Sequence, residues 1–503
     1  MPTIEEIINI GFDNHQCGRL AEAENAYQEA LKLDCENAEV CNLMGVLKLQ
    51  QNDIDTAIKW IEKAIDIKPE AYFYETLFQA YIRGGYYKKI VSYDRDVLRD
   101  FPDNFSLLFN IALAYKNLKV TMKAIRLYEQ AVKLNPESYQ AWFNLAHLYG
   151  VEGMCKEAVS AMKVCQRLKP DDKETEYFLA IALMRTKDYD RGLKLFESRL
   201  CKETAVALQY KTYPNLCSPE RMWKGEDIRD KSIFVYYEAG FGDVIMFSRY
   251  LPLLKKKCKK LIFYPQRPLV PLFENSDLGI DEIIDGFIPE QNMDFDVHAP
   301  LMSLPYLLNL KGAKIFEGSG GYLGANPELV EEYKNKYFNN DKLKIGIKWR
   351  GNTYFEQDRV IPAEAFSPIL EIEGAKIYSF QTFEGSEDVE KLQSKYDITD
   401  IGSGLIDFGQ TAAAMMNLDL VVCNDTSLAH LAGALGKPCY VLLPYEVNWR
   451  WHDDLSNCDW YDSVRLIRQV SVGDWESSFE EVSNKIIRSL EILKQCNHRE
   501  VKE

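Results

Sequence analysis

At 503 residues the chain is too long for a single hydrophobic core and points to two to four domains. With 47% hydrophobic and 27% charged residues it has the make-up of ordinary globular protein, and no apolar run approaches the length of a membrane span. A formal net charge of −16 argues against nucleic acid as the main partner, because phosphate backbones are held by a surplus of Lys and Arg; any phosphate ligand must meet a local basic site.

The opening residues, MPTIEEIINIGFD, are acidic where an export signal is basic, and the twelve cysteines show no CxxC pair and no ladder-like spacing. These features indicate a cytoplasmic chain with free thiols and neither a zinc site nor a disulfide framework. Residues 1–200 repeat. Ala23 and Ala57, Ala124 and Ala158, and Ala158 and Gly192 are equally spaced pairs at one small-residue position, and Pro69, Pro102, Pro136 and Pro170 follow at intervals of 33, 34 and 34. An aromatic residue comes four positions after the small one at Tyr27, Tyr128 and Phe196. A period of 34 with small residues where two helices cross is the tetratricopeptide pattern, here about six units in an all-α superhelix. The third unit, from Tyr74 to Pro102, lacks the small residue and is one residue short.

The concave face of such a superhelix commonly holds an extended peptide. Asn110 and Asn144 take equivalent positions on it, either hydrogen-bonding a peptide backbone or standing as solvated polar residues. Residues 201–230, with Pro214, Pro219 and Trp223, form a polar connector.

From 231 onward, short apolar strands punctuated by glycine replace the helical periodicity. A strand at 232–237 (SIFVYY), a glycine turn holding Gly240, Gly242 and Asp243, a helix at 244–254 and a strand at 261–264 make a first α/β domain over 231–311. The lysines between 255 and 260 follow that helix, whose C-terminal end favours cations. Asp294-Phe295-Asp296 has the DxD form of metal-dependent transferases but precedes an apolar run instead of a glycine-bounded loop, so no metal site is expected there. Residues 312–327 are glycine-rich and read as an interdomain linker.

A second α/β domain, 328–497, opens with a strand at 344–349, a polar loop at 350–359 and a strand at 376–380, and closes with a helix at 476–493. Two such domains about a hinge leave a cleft. Its best-marked stretch is 418–443. An apolar strand ends at Asn424-Asp425-Thr426, which turn the chain and cap a helix; Leu428, Leu431, Ala432 and Leu435 then form an apolar stripe before Gly436 and Pro438 stop it. Ligands of such βαβ units sit beyond the carboxyl ends of the strands, where a helix N-terminus meets phosphate. Asp425, Thr426, Ser427 and His430 stand at that mouth, or else serve only as a cap and an ordinary half-buried histidine.

As a set, EAGFGDVIMFSRYLPLL, the loop KWRGN followed by DRVIP, NDTSLAHLAGALGKP and VNWRW resemble the C-terminal region of bacterial tetratricopeptide-repeat proteins bearing a glycosyltransferase family nine, heptosyltransferase-like domain. The resemblance covers roughly 223–493 and, with the repeats, nearly the whole chain. It implies two Rossmann-like domains in the GT-B arrangement, a nucleotide-sugar donor held mainly by the second, and inversion without a metal or other cofactor. Carried onto this chain, it makes Asp243 the catalytic base beside Gly240 and Gly242. Lys348, Arg350, Asn352, Arg359, Asp425, Thr426, Ser427 and His430 become the donor site. The chain departs from the family at Val360, where a serine usually follows DR.

Chemistry agrees with the resemblance: a hydroxyl acceptor needs a base, and a departing nucleotide diphosphate needs cations. Two readings stay open at several positions. Asp243 would alternatively cap its helix, Arg350 and Arg359 would solvate a loop, and Trp449-Arg450-Trp451 would be buried tryptophans flanking an arginine instead of flat faces for a sugar or base. The expectation is a cytoplasmic transferase whose repeats recruit a protein acceptor for glycosylation at Ser or Thr, an arrangement similar to bacterial flagellin glycosyltransferases. A surface-glycan transferase and a non-catalytic scaffold are the alternatives.

Overall fold

The computed structural model describes residues 2–201, 219–286, 294–351, 359–452 and 457–500, with side chains to 492. The chain divides into two compact units, Met1–Asp171 and Asp172–Glu503.

The first unit is five antiparallel helix pairs, from Ile4–Gln16 with Leu20–Leu33 to Tyr139–Val151 with Cys155–Leu168. The small residues sit where the helices of a pair cross, Ala23, Ala57 and Ala124 being wholly buried. In the third pair, Ile90 takes the place that Ala57 holds in the second; it is fully buried and too bulky for the crossing, and the second helix breaks beyond it into Tyr87–Ser92 and Asp94–Asp100. Each pair turns through a residue in the left-handed region, Gly18, Asn52, Gly85, Lys119 and Gly153 standing at the same place in successive repeats. Glycine and asparagine suit that conformation, whereas Lys119 is strained in it. Asn110 is buried, and the Asn144 amide is already engaged, accepting from Lys116 Nζ at 2.7 Å and donating to the Tyr128 hydroxyl at 3.2 Å.

The second unit opens with a sixth pair, Lys173–Arg185 and Tyr189–Phe196, turning through Lys187 in the same left-handed conformation. Two parallel sheets follow. The first comprises β1 (Ile228–Tyr236), β2 (Cys258–Tyr264), β3 (Glu282–Ile283) and β4 (Val297–Pro300), in the order β3-β2-β1-β4. The second comprises β5 (Leu343–Lys348), β6 (Ala375–Ser379), β7 (Ile398–Asp400), β8 (Leu420–Asn424), β9 (Cys439–Leu443) and β10 (Val464–Arg468), in the order β10-β9-β8-β5-β6-β7. Counted from its own first strand this is 6-5-4-1-2-3, the doubly wound Rossmann order, and it reverses between β5 and β8.

The helix expected at 244–254 is three pieces: Phe241–Phe247, a 3-10 turn Ser248–Tyr250 and Leu251–Lys255. Pro252 lacks the N–H that a continuous helix would need. The first piece also starts three residues early, which puts Asp243 inside its first turn. The glycine-rich segment 312–327 is a packed strap. Tyr250 donates to Ile315 O, the Tyr322 hydroxyl to Ile245 O, and the amides of Tyr322 and Leu323 to Ala434 O, each within 3.0 Å. A Cβ on Gly436 would stand 2.9 Å from Gly320 O, so glycine here permits backbone contact. Asp296 accepts from the backbone N and Oγ of Ser232, tying β4 to β1, and Phe295 stacks on Phe234.

Candidate active site

Lys348 ends β5, its ammonium donating to Phe380 O at 3.2 Å and Thr382 Oγ1 at 3.0 Å. Burial brings its pKa down to about 8. The loops after β5 and β6 are stapled by one wholly buried side chain, Gln381. Its Oε1 accepts from the amides of Trp349 and Arg350, and its Nε2 donates to Arg350 O and Glu384 O. Sequence reasoning missed Gln381; the only sign was a polar residue directly after an apolar strand. The Arg350 guanidinium reaches Glu387 at 3.3 Å. Arg359 pairs with Asp425 at 3.0 Å, and Asn424 Nδ2 donates to Arg359 O, so Arg359 is tied to the end of β8. Asn352 lies outside the described residues.

Beyond β8, Thr426 is the extended residue that starts helix Ser427–Ala434, and its side chain makes no cap bond to the helix's first amides. An uncapped first turn presents N–H groups and a partial positive charge. Gly351 brings the β5 loop against this start: a Cβ there would stand 2.9 Å from Thr426 Cγ2. The loops on either side of the strand-order reversal therefore touch. His430 lies behind them, 4% exposed, its ring stacked on Trp451 and its Nδ1 within 3.1 Å of the Tyr461 hydroxyl. Burial, with Arg450, Arg249 and Arg359 nearby, drives its pKa well below the usual range, so the ring is neutral at physiological pH and lends no charge to a phosphate.

Helix Phe241–Phe247 packs on helix Ser427–Ala434 through Gly242, where a Cβ would come within 2.8 Å of His430 Cδ2 and 3.5 Å of Ser427 Cα. Asp243 serves as a cap and as one half of an ion pair. One oxygen accepts from the Gly240 amide at 3.2 Å as a cap, and the other makes an ion pair with Arg450, both side chains being only partly exposed. Trp449 and Trp451 are buried, and the arginine between them is the residue that reaches the candidate base.

The loop that leads into the helix of Asp243 is anchored by a buried network that sequence reasoning did not find. Arg199, at the end of the sixth helix pair, grips Glu238 with two bonds at 3.1 and 2.9 Å, while the Met302 amide and Ser303 Oγ complete the network. Burial raises the Glu238 pKa and Arg199 opposes that rise. Burial also works against the Arg199 charge, but Glu238 and Glu197 more than offset it. Next to this pair, Ala239 adopts the left-handed conformation at φ 56°.

Comparison with known proteins gives matches to the repeats and to part of the second α/β domain. Models of the tetratricopeptide repeat match residues 16–77, 105–138 and 127–160, and that of glycosyltransferase family 9 (heptosyltransferase) matches 361–443, which includes Asp425, Thr426, Ser427 and His430. The chain is similar to Protein FlbA of Caulobacter vibrioides, 22% identical over 510 residues, covering 95% of this chain and 83% of that protein. Among solved structures it is similar to YrrB, described as a TPR protein with an unusual peptide-binding site (20% identity, 37% of this chain and 98% of that one, TM-score 0.34). It is also similar to the glycosyl transferase family 9 from Veillonella parvula DSM 2008 (16% identity, 48% and 87%, TM-score 0.38).

Proposed function

We propose that this chain, which carries tetratricopeptide repeats and a glycosyltransferase family 9 domain, moves a sugar from a nucleotide-activated donor to a hydroxyl of Ser or Thr in a protein. The observation that carries the reading is the meeting of three features at one strand-order reversal. Lys348 and Arg350 stand at the end of β5, Arg359 pairs with Asp425 before a helix N-terminus whose Thr426 side chain makes no cap bond, and Asp243 stands on the helix packed against that terminus. The donor diphosphate lies over the amides of Thr426 and Ser427, with Lys348 and Arg359 neutralising it.

The acceptor oxygen attacks the anomeric carbon as Asp243 takes its proton, and the bond from that carbon to the diphosphate oxygen breaks, leaving the charge on the cations. A single displacement inverts the configuration. Fixed cations and helix amides supply the positive charge that other transferases draw from a divalent ion, so no metal is needed. Asp243 must exchange its bond to Arg450 for one to the acceptor hydroxyl. The repeats support a protein acceptor, because helix-pair superhelices commonly hold extended peptides. No helix among the described residues is long and apolar enough to cross a membrane, and the reading places the reaction in the cytoplasm.

The test is release of nucleotide diphosphate from a panel of nucleotide sugars, wild type beside Asp243→Asn. The reading expects one donor to be consumed and the variant to be slower by about 10²–10⁴-fold. Donor binding without release by either protein, even with cell extract as acceptor, would leave a sugar-nucleotide-binding scaffold.

A further inference from the structure

Helix Lys173–Arg185 of the sixth pair, the loop after β1 and residues 446–450 enclose a cavity of about 280 Å³ in the second unit. Arg450, which pairs with Asp243, stands in its wall, and so does Ala239, four residues before Asp243. Tyr177, also in the wall, has its hydroxyl pKa raised chiefly by burial, and the charges of Arg450, Arg199 and Asp243 reach it. The cavity therefore adjoins the candidate base.

Three features specify the occupant. The volume falls just below the range of about 300–1,000 Å³ for small-molecule sites, giving room for one or two amino-acid side chains and too little for a nucleotide sugar. The walls mix aromatic and aliphatic faces with arginine and glutamate, which suits polypeptide better than lipid. Phe178, in the wall, occupies the register position of Asn110 and Asn144, one repeat beyond Asn144, so the repeat position expected to meet a peptide faces this cavity in the sixth pair.

We propose, on the reading of Asp243 as the base, that this cavity is an acceptor subsite: it receives the polypeptide residue next to the glycosylated Ser or Thr, and Ile181, which lines the wall one helical turn from Tyr177 and Phe178, sets the size of that residue. The last repeat then selects the modified site as well as tethering the acceptor.

The test uses the full chain with the donor found by the panel and acetylated peptide amides of about ten residues with a central serine. Each flanking position is scanned through Gly, Ala, Val, Leu and Phe, with kcat/KM read from nucleotide diphosphate release in the wild type, Ile181→Trp and Ile181→Ala. At one flanking position the preferred residue should become smaller in Ile181→Trp and larger in Ile181→Ala, each by about tenfold in relative kcat/KM. If the tryptophan variant does not fold, the alanine variant carries the test alone. An identical ranking in all proteins that fold overturns the subsite. So does a wild type that hydrolyses donor yet is stimulated by no peptide. A wild type that releases nothing from any donor instead strikes the transferase reading itself.

Discussion

At the scale of single residues, Lys348 carries an electrostatic cost. Its charge is held in a buried position where its pKa falls to about 8. Set against the usual 10.5, that environment disfavours the charge by about 3 kcal/mol at neutral pH, at about 1.36 kcal/mol per pH unit. The folded pKa lies below the unfolded one, so the penalty is fully present below about pH 8 and fades as pH rises toward 10.5. Lys348→Met should accordingly be more stable than wild type to urea at pH 7, by somewhat less than the full penalty because Thr382 and Phe380 lose a donor, and the advantage should shrink by about pH 9.5. A variant less stable at neutral pH would show that the ammonium helps hold the fold. The sequence made the type and place of Lys348 legible, since cations at strand ends in so acidic a chain suggest an anion. It did not reveal Arg450 as the partner of Asp243, because that pair joins residues 207 positions apart.

At the scale of elements, the repeats were readable because helix crossings demand small residues, and alanine or glycine marks them by type. The turns within each pair are as regular, yet they were not readable, because the left-handed position holds Gly18, Asn52, Gly85, Lys119, Gly153 and Lys187 in turn. Geometry repeats there while residue type does not. At Lys119 and Lys187 a side chain sits where backbone strain of about 1–2 kcal/mol is expected. Lys119→Gly should therefore raise stability by about 1 kcal/mol, measured as a shift of the urea midpoint at constant slope; a loss of stability would mean the lysine side chain makes a contact worth more than the strain. The broken helix Phe241–Phe247 teaches the converse lesson. Pro252 was visible, but the apolar run around it favoured one long helix until the start at Gly240 placed Asp243 in the first turn.

At the scale of the whole molecule, the order of elements was legible while the grouping depended on contacts that spacing cannot show. The sixth helix pair continues the repeat in sequence but belongs to the unit that holds both sheets. Arg199 and Glu238, buried and bonded at two points, fasten it to the loop of the candidate base. Removing one partner strands a buried charge, so Arg199→Met should cost about 3–5 kcal/mol in denaturant melts, and adding Glu238→Leu should recover most of it; additive losses would show that the two side chains act independently. The glycine-rich segment 312–327 reads in the sequence as an interdomain linker, and its glycines permit close backbone packing on the end of helix Ser427–Ala434. On the proposed reading a donor diphosphate lies where the strand order reverses between β5 and β8. The most direct test of that placement is calorimetric titration of the full chain with UDP, GDP, ADP and dTDP at a series of values from about pH 7 to about pH 9.5. A bound diphosphate holds the Lys348 proton, so at least one nucleotide should bind with a Kd that is flat below about pH 8 and weakens toward tenfold per pH unit above it, a break that Lys348→Met abolishes. Binding that ignores pH across this range, or that is as tight in the variant, would contradict the placement.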